Sequence, residues 1–240
     1  MKINLLIPCF NEEDSLLKLH DTLSSFKSNH DLNFYILDNG STDNTKNVIK
    51  NLKYSKNINF LYLDLNQGYG YGVNYGLNQI TNADFIGWFH GDMQFDINNL
   101  TTIIEQIEEV EKNFVNYIFF KGIRIGRPFI SKLFSKSMAV ITSILLLNKY
   151  YEINAQPTIF TAKLLEKVEE PPSDFSFDTY IYWIARKNKS LIIRKKVKFQ
   201  NRKYGNSKWD FGIISKVNFS LTNLKYIFKL SLINIKNYLI

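Results

Sequence analysis

Residues 85 to 96 read Phe-Ile-Gly-Trp-Phe-His-Gly-Asp-Met-Gln-Phe-Asp, an apolar run from Phe85 to Phe89 that stops on His90, Gly91, Asp92, Met93 and Gln94. The run has the length and content of a buried strand. Ligands of an open α/β sheet sit outside the carboxyl ends of its strands, so Asp92 and Gln94 are placed for a diphosphate and a metal ion. A short polar cluster after a strand is also what an ordinary turn looks like. The choice depends on what the other strands bring to the same edge.

Upstream, Ile3 to Ile7 is a compact apolar strand that ends in Pro8, Cys9, Phe10 and Asn11. Glu12, Glu13 and Asp14 then open a helix, with Asn11 as its expected N-cap and Leu16, Leu19, Leu23 and Phe26 as its buried face. Phe34 to Leu37 is a second strand, running into Asp38, Asn39, Gly40, Ser41, Thr42 and Asp43 before another helix. Strand, polar loop and helix repeated in this way predict a parallel sheet with right-handed crossovers, whose loops open on one edge. Phe60 to Leu63 follows as a third strand, with Asn66, Gly68, Gly70, Gly72 and Gly76 behind it. Such a run of glycines either lets backbone N–H groups approach a phosphate closely or makes a tight turn.

Composition sets the outer bounds. With 240 residues, 45% of them apolar, one large α/β domain has ample core and two independent domains would be cramped. Thirty basic against 22 acidic side chains leave a net charge of +8, which suits a nucleic acid, an anionic membrane surface or a phosphorylated ligand. No recognised basic-aromatic module for RNA or DNA is present, which argues against nucleic acid. A single cysteine, Cys9, inside an apolar strand excludes a disulfide framework and suits a reducing compartment. The chain starts directly on a strand pattern, so no signal peptide is expected, and no apolar run reaches the ~18 residues of a spanning helix.

The blocks IPCFNEEDSL, ILDNGSTDNT, NQGYGYGVNYGL and HGDMQ, in this order over roughly the first hundred residues, resemble the family 2 glycosyltransferases of the GT-A fold. Within that family the resemblance is greatest to the branch typified by dolichyl-phosphate mannose synthase and bacterial polyprenyl-phosphate glycosyltransferases. It implies an α/β, Rossmann-like, mostly parallel sheet flanked by helices, with amphipathic membrane-interface helices in the second half. The implied activity is inverting transfer of a sugar from a nucleotide-diphosphate-sugar, UDP- or GDP-linked, to a polyprenyl phosphate at the membrane surface. The implied location is peripheral, on the inner, cytoplasmic face of the cytoplasmic membrane.

By this resemblance Pro8, Phe10, Asn11, Glu12 and Asp38 hold the base and ribose, and Gly40, Ser41, Gly68, Gly70, Gly91 and Asp92 complete the nucleotide-sugar site. The family's metal motif, Asp-x-Asp followed two positions later by Gln, has here Asp92 and Gln94, with His90 in place of the first Asp. Those three are the implied ligands of a divalent Mn²⁺ or Mg²⁺ ion, and an imidazole tilts the preference toward Mn²⁺. Arg124, after the apolar strand Tyr117 to Phe120, and Lys132 are the implied contacts to an acceptor phosphate. Arg202, Ser207 and Lys208, around Gly205, resemble a mobile loop that closes on the donor diphosphate.

Three readings stay open in the second half. Leu133 to Leu147, flanked by Lys132, Lys136 and Lys149, is either a buried helix or one lying in the membrane interface. Residues 154 to 160 suit a short polar loop on the acceptor side. Asp178 stands where inverting relatives carry their catalytic carboxylate, and becomes a general base if the acceptor is a sugar hydroxyl of a lipid-linked or surface glycan; otherwise it is a first-turn helix acid. A catalytically inactive nucleotide-binding homologue is the third possibility. Residues 1–210 are assigned to the glycosyltransferase domain and 211–240 to a basic amphipathic helical tail, which either lies on an anionic membrane or packs on the domain.

Overall fold

Apolar runs of strand length alternate with helical periodicity through the first half of the chain, and the computed structural model, which describes residues 1–113, 116–198 and 213–238, converts each into the expected element. The order is β1 (Lys2–Cys9), α1 (Glu13–Ser25), β2 (Asp31–Asn39), α2 (Thr45–Lys50), β3 (Ile58–Leu63), α3 (Tyr69–Gln79), β4 (Phe85–Trp88) and α4 (Asn99–Glu111). The second half adds β5 (Ile118–Ile125), α5 (Phe129–Leu145), β6 (Thr158–Thr161), a 3₁₀ turn (Ala162–Lys167), α6 (Phe177–Lys187), β7 (Leu191–Lys198) and α7 (Ile213–Tyr238).

The seven strands form one sheet in the order β3-β2-β1-β4-β6-β5-β7. All pairs are parallel except those made by β6, which runs antiparallel to both β4 and β5. From β1 the chain winds outward through β2 to β3 and then returns to the other side of β1 with β4. The winding therefore reverses between β1 and β4, the place where an open α/β sheet offers a crevice to ligands. Alternation along the strands fills two cores. Ile3, Leu5, Ile7, Phe34 and Ile36 pack with α1 and α4 on one face, while Leu6, Leu37, Ile86 and Trp88 pack with α3 and α6 on the other. In α4, Leu100, Ile103, Ile104 and Ile107 are the buried stripe, as their helical spacing predicts.

Several expectations are corrected. Residues 158 to 160, expected within a polar loop, belong to the buried antiparallel strand β6. Four residues behind Pro157 are too few to show a period, and only pairing on both sides makes them a strand. Asn11 does not cap α1: it has φ 54°, the N-cap position is Glu12, and no side chain caps the helix there. The strand expected to end at Phe120 continues to Ile125, carrying Lys121 into the interior.

α5 begins four residues earlier than the expected helix and buries little: Ala139 and Thr142 are its buried residues, while Phe129 is 78% exposed and Ile130, Leu133, Val140 and Ile144 are also exposed. α7 packs on the domain. Its Ile227 and Leu230 are buried, Trp183 Nε1 donates to Asn234 Oδ1 (3.0 Å), and Thr179 Oγ1 donates to Asn223 Oδ1 (3.4 Å). Leu221, Phe228, Leu232 and Ile235 of the same helix stay exposed. Among the described residues no helix is long and apolar enough to cross a membrane.

The tightest point of the sheet is Gly87, in the middle of β4. A Cβ there would lie 2.2 Å from Thr158 O and 2.8 Å from Ile159 Cα, both backbone atoms of the adjoining strand. Gly87→Ala is expected to destabilise the fold by about 2 kcal/mol or more, since the obstruction cannot rotate away. Chemical denaturation measures this directly, and an unchanged midpoint would contradict the β4–β6 register.

Candidate active site

The first two loops are stitched together by their own polar groups. Asn11 N–H donates to Ser41 Oγ (2.9 Å), and Thr42 N–H donates to Asn11 Oδ1 (2.7 Å). Glu12 N–H donates to Thr45 Oγ1 and Asn44 N–H to Glu13 Oε2, each at 2.9 Å. The side chain expected to cap α1 thus bridges the ends of β1 and β2, which sets Pro8, Phe10, Asn11 and Glu12 beside Gly40 and Ser41. Asp38, buried near the end of β2, accepts the Ser41 N–H (2.9 Å) and so shapes the second loop from beneath. Gly40, at φ +69°, lies so close to the third loop that a Cβ would meet Asn66 N at 2.3 Å. Three strand ends therefore act as one wall.

The glycines of the third loop serve packing. Gly68, at φ +110°, has no room for a Cβ against Ser173 O, nor has Gly70 against Pro172 O, and the Tyr71 N–H donates to Ser173 O (3.1 Å). The start of α3 is covered by residues 172–174. Both glycines let α3 approach the backbone of that segment closely.

The fourth loop completes the crevice. Gly91 is buried against Cys9, whose sulfur would lie 2.6 Å from a Cβ at that position. Asp92 Oδ1 accepts the Gln94 N–H (3.1 Å), a turn that holds the carboxylate while Met93 takes φ 60°. The thiol of Cys9 has its pKa raised well above the ordinary value, first by burial and then by the charges of Glu12, Asp38 and Asp92. Charges at the ends of β1, β2 and β4 thus act on one buried sulfur. His90 sits beside them with its ring 5.5 Å from that of Tyr69. Among the described residues no group of three or more His, Cys, Asp or Glu is gathered to hold an ion by itself, so a divalent cation at His90 and Asp92 would need further ligands from a phosphorylated substrate.

Behind this wall lies a polar cluster that the sequence reading divided among unrelated elements. Lys121, fully buried on β5, donates to Thr158 Oγ1 (2.8 Å) and is 3.4 Å from Asp178 Oδ1. Asp178, 2% exposed in the first turn of α6, also accepts from the Tyr69 hydroxyl (3.3 Å), which accepts from Trp88 Nε1 (2.8 Å). Gln156 is assigned the amide orientation in which its nitrogen donates to Trp88 O (2.8 Å) and its oxygen accepts from Trp88 Nε1 (3.1 Å), because the reverse sets like groups against like. Burial pushes the Lys121 ammonium down to about 8, with Asp178 opposing the fall. Asp178 is therefore not grouped with the crevice residues. It lies one layer deeper, as the counter-ion of a lysine.

Arg124, further along β5, is held by Glu152, with Nε 2.7 Å from Oε2. Arg127 reaches the other oxygen of Glu152 at 3.6 Å and donates to Ser131 O and Ser135 Oγ. Lys132 is exposed on α5. Arg202, Ser207 and Lys208 lie outside the described residues. Sequence reasoning missed Tyr69, Trp88, Lys121 and Glu152, whereas Gln156 lies in the 154–160 segment already expected on the acceptor side. For Lys121 a signal existed, a lone cation between Phe120 and the close-packed Gly122.

Comparison with known proteins agrees with this architecture. The mannosyl-3-phosphoglycerate synthase of Rubrobacter xylanophilus superposes with a TM-score of 0.70 at 14% identity, covering 95% of this chain and 73% of that one. The glucosyl-3-phosphoglycerate synthase of Mycobacterium tuberculosis, solved with Mn²⁺, UDP and glucosyl-3-phosphoglycerate, gives 0.65 at 13% identity over 92% of this chain and 78% of that one. At such identity these two share the fold. In sequence, the GalNAc(5)-diNAcBac-PP-undecaprenol beta-1,3-glucosyltransferase of Campylobacter jejuni is 25% identical over 201 residues, 81% of this chain and 62% of its own length. The chain spans less than two thirds of the length of the curated relatives it matches. A family model for Glycosyl transferase family 2 matches residues 5–168, from β1 through β6 and well over half of the sequence, and the chain belongs to that family.

Proposed function

We propose that this chain is an inverting glycosyltransferase that moves a sugar from a UDP- or GDP-sugar to a polyprenyl phosphate at the inner face of the cytoplasmic membrane. The observation that supports the donor half is the joining of the loops after β1, β2 and β3 into one wall at the sheet edge, beside the loop of His90 and Asp92 that follows β4. Asn11, Glu12, Gly40 and Ser41 form the wall for the base and ribose, and Asp38 holds that wall in shape. Glu12, Asp38 and Asp92 make the crevice acidic, so a diphosphate enters it only with a compensating cation. Asp92 and His90 are the residues that would hold a divalent ion, Mn²⁺ or Mg²⁺. Bound there, it would neutralise charge developing on the leaving nucleoside diphosphate. Gln94 supports Asp92 through its backbone N–H. The mycobacterial neighbour, solved with Mn²⁺ and UDP, is consistent with this chemistry.

The acceptor half rests on charge and exposure. Arg124, positioned by Glu152, is the contact for an acceptor phosphate, which is ionised at neutral pH and attacks the anomeric carbon without a base. The helices α5 and α7 contain no acidic residue and carry Lys132, Lys136, Lys225 and Lys229 among exposed Phe129, Leu133, Ile144, Phe228 and Leu232. An apolar, cationic surface of this kind suits the head-group region of an anionic bilayer. The name of the Campylobacter relative, a glucosyltransferase acting on an undecaprenol-linked glycan, supports a lipid-linked acceptor and favours a second reading in which a sugar hydroxyl attacks. That reading needs a base, and Asp178 is buried and committed to Lys121 and Tyr69.

A panel of UDP-, GDP- and TDP-sugars with Mn²⁺ or Mg²⁺, each with and without a short polyprenyl phosphate, tests the proposal. Expected is metal-dependent, lipid-stimulated release of nucleoside diphosphate that falls by about 100-fold or more in Asp92→Ala. Release stimulated only by a glycan would give the hydroxyl acceptor, and no release from any donor despite bound nucleotide would remove the enzyme reading. For the surface, Leu133→Glu/Ile144→Glu is expected to weaken sedimentation with phosphatidylglycerol vesicles about tenfold or more, since two buried aliphatic side chains contribute about 3 kcal/mol together. Equal sedimentation of native and variant protein would take α5 away from the lipid.

A further inference from the structure

The cluster behind the crevice is built across four strands. Trp88 pairs with Thr158, Thr158 with Lys121, and Lys121 with Arg194, so these four residues form one row across β4, β6, β5 and β7 and point to the same face. α6 covers that face and meets the row with Asp178 and, one turn later, Tyr182, whose ring lies 5.2 Å from the Arg194 guanidinium. From the other side comes Tyr69, the first residue of α3. Its ring is stacked on Phe175 (centroids 4.5 Å apart, 14° between planes) and lies against His90, while its hydroxyl lies between Asp178 Oδ2 and Trp88 Nε1. Trp88 is itself two residues before His90. Tyr69 therefore touches the donor loop with its ring and the buried ion pair with its hydroxyl.

We infer that Lys121, Asp178 and Tyr69 form a positioning unit for His90: the ion pair fixes the Tyr69 hydroxyl, and the Tyr69 ring fixes the imidazole at the mouth of the crevice. The inference rests on the donor site proposed above and assigns Asp178 a role that its place in the sequence did not suggest. A carboxylate whose two oxygens face Lys121 and Tyr69, inside the protein, keeps a partner in place; it does not collect a proton from an acceptor in the crevice. The energetics of buried pairs distinguish the two roles. Removing Asp178 alone leaves an uncompensated ammonium in the interior and disturbs everything it touched, whereas removing both charges leaves a neutral contact. A lost general base is not restored by deleting a lysine.

The test compares native protein with Asp178→Asn, Lys121→Met/Asp178→Asn, Tyr69→Phe and Tyr69→Leu, using two readouts. The first is the set of histidine Hε1 and Hδ2 signals in the NMR spectrum of the metal-free protein, to which three histidines contribute and in which His90→Gln identifies the relevant pair. The second is the affinity for UDP with Mn²⁺ by calorimetry. Expected are shifted His90 signals and affinity reduced about tenfold or more in Asp178→Asn, return to within about threefold of native in the double variant, loss of the ring-current shift in Tyr69→Leu, and an intermediate effect in Tyr69→Phe. Unmoved His90 signals in Asp178→Asn and Tyr69→Leu would overturn the inference, even if thermal stability fell. So would native UDP affinity in Asp178→Asn with transfer abolished and not recovered in the double variant, which is the signature of a base. If Asp178→Asn does not fold, the double variant and Tyr69→Phe decide by the same two readouts. His90 signals that move as expected in a native protein that binds no UDP would leave the positioning unit standing and refute the donor site.

Discussion

β1 is hydrogen-bonded on both sides and buried on both faces, and the direction in which the chain leaves it determines where everything else goes. Because β2 pairs with one edge and β4 with the other, all in parallel, the ends of these strands point the same way and their loops meet at one edge of the sheet, with Gly91 packed on Cys9. The place of the crevice is thus a consequence of topology, and chemistry is added to it by short loops. The loops are economical in their use of polar groups. Asn11, Ser41, Thr42 and Thr45 satisfy one another's backbone, leaving Glu12, Asp92 and His90 to define the field.

An acidic crevice and a buried ammonium one layer behind it have to coexist in one small volume. Lys121 is the only cation whose side chain is wholly enclosed among the described residues, and its charge is tolerated because Thr158 and Asp178 surround it and Trp88 lies 5.9 Å away. The same arrangement ties α6 to the central sheet at its first turn. A helix whose first turn is fixed by an ion pair has a defined register, which then seats Tyr182 under Arg194 and Trp183 against α7.

Much of the first half was legible because periodicity there is strong and every loop is short. Ile3 to Ile7, Phe34 to Leu37 and the stripe Leu100, Ile103, Ile104 and Ile107 announce their elements without help. The convergence of Asn11, Asp38, Ser41 and Asp92 on one edge followed from parallel topology alone. What escaped was decided by contacts between residues far apart in sequence. Asn11 is a good N-cap residue locally, but the backbone of Thr42 competes for its side chain. The packing of Gly68 and Gly70 against the backbone of residues 172–174 has no local signature. Thr158 to Thr161 lacks a period, and Lys121 looks like the polar end of a strand until β7 pairs beyond it. Local propensity read the Asn11 and Lys121 segments correctly in isolation, and tertiary packing overrode it.

The net charge of the chain takes on meaning only when it is divided among surfaces. Acidic side chains gather in the crevice at Glu12, Asp38 and Asp92 and along the outer face of α4, whereas α5 and α7 have none. A uniform excess of lysine would attract any polyanion equally. Here the anion-repelling crevice demands a cation with its ligand, while the lysines stand among exposed aliphatic and aromatic residues that a nucleic acid would leave in water. Against another copy of the same face, lysine would meet lysine. A surface that is both anionic and apolar at its edge satisfies the two features together, and the head-group region of a bilayer has that composition. In the proposed reading the donor is taken at the polar sheet edge and the acceptor beside the basic, apolar face of α5 and α7, and Arg124 on β5, which leads directly into α5, stands between the two.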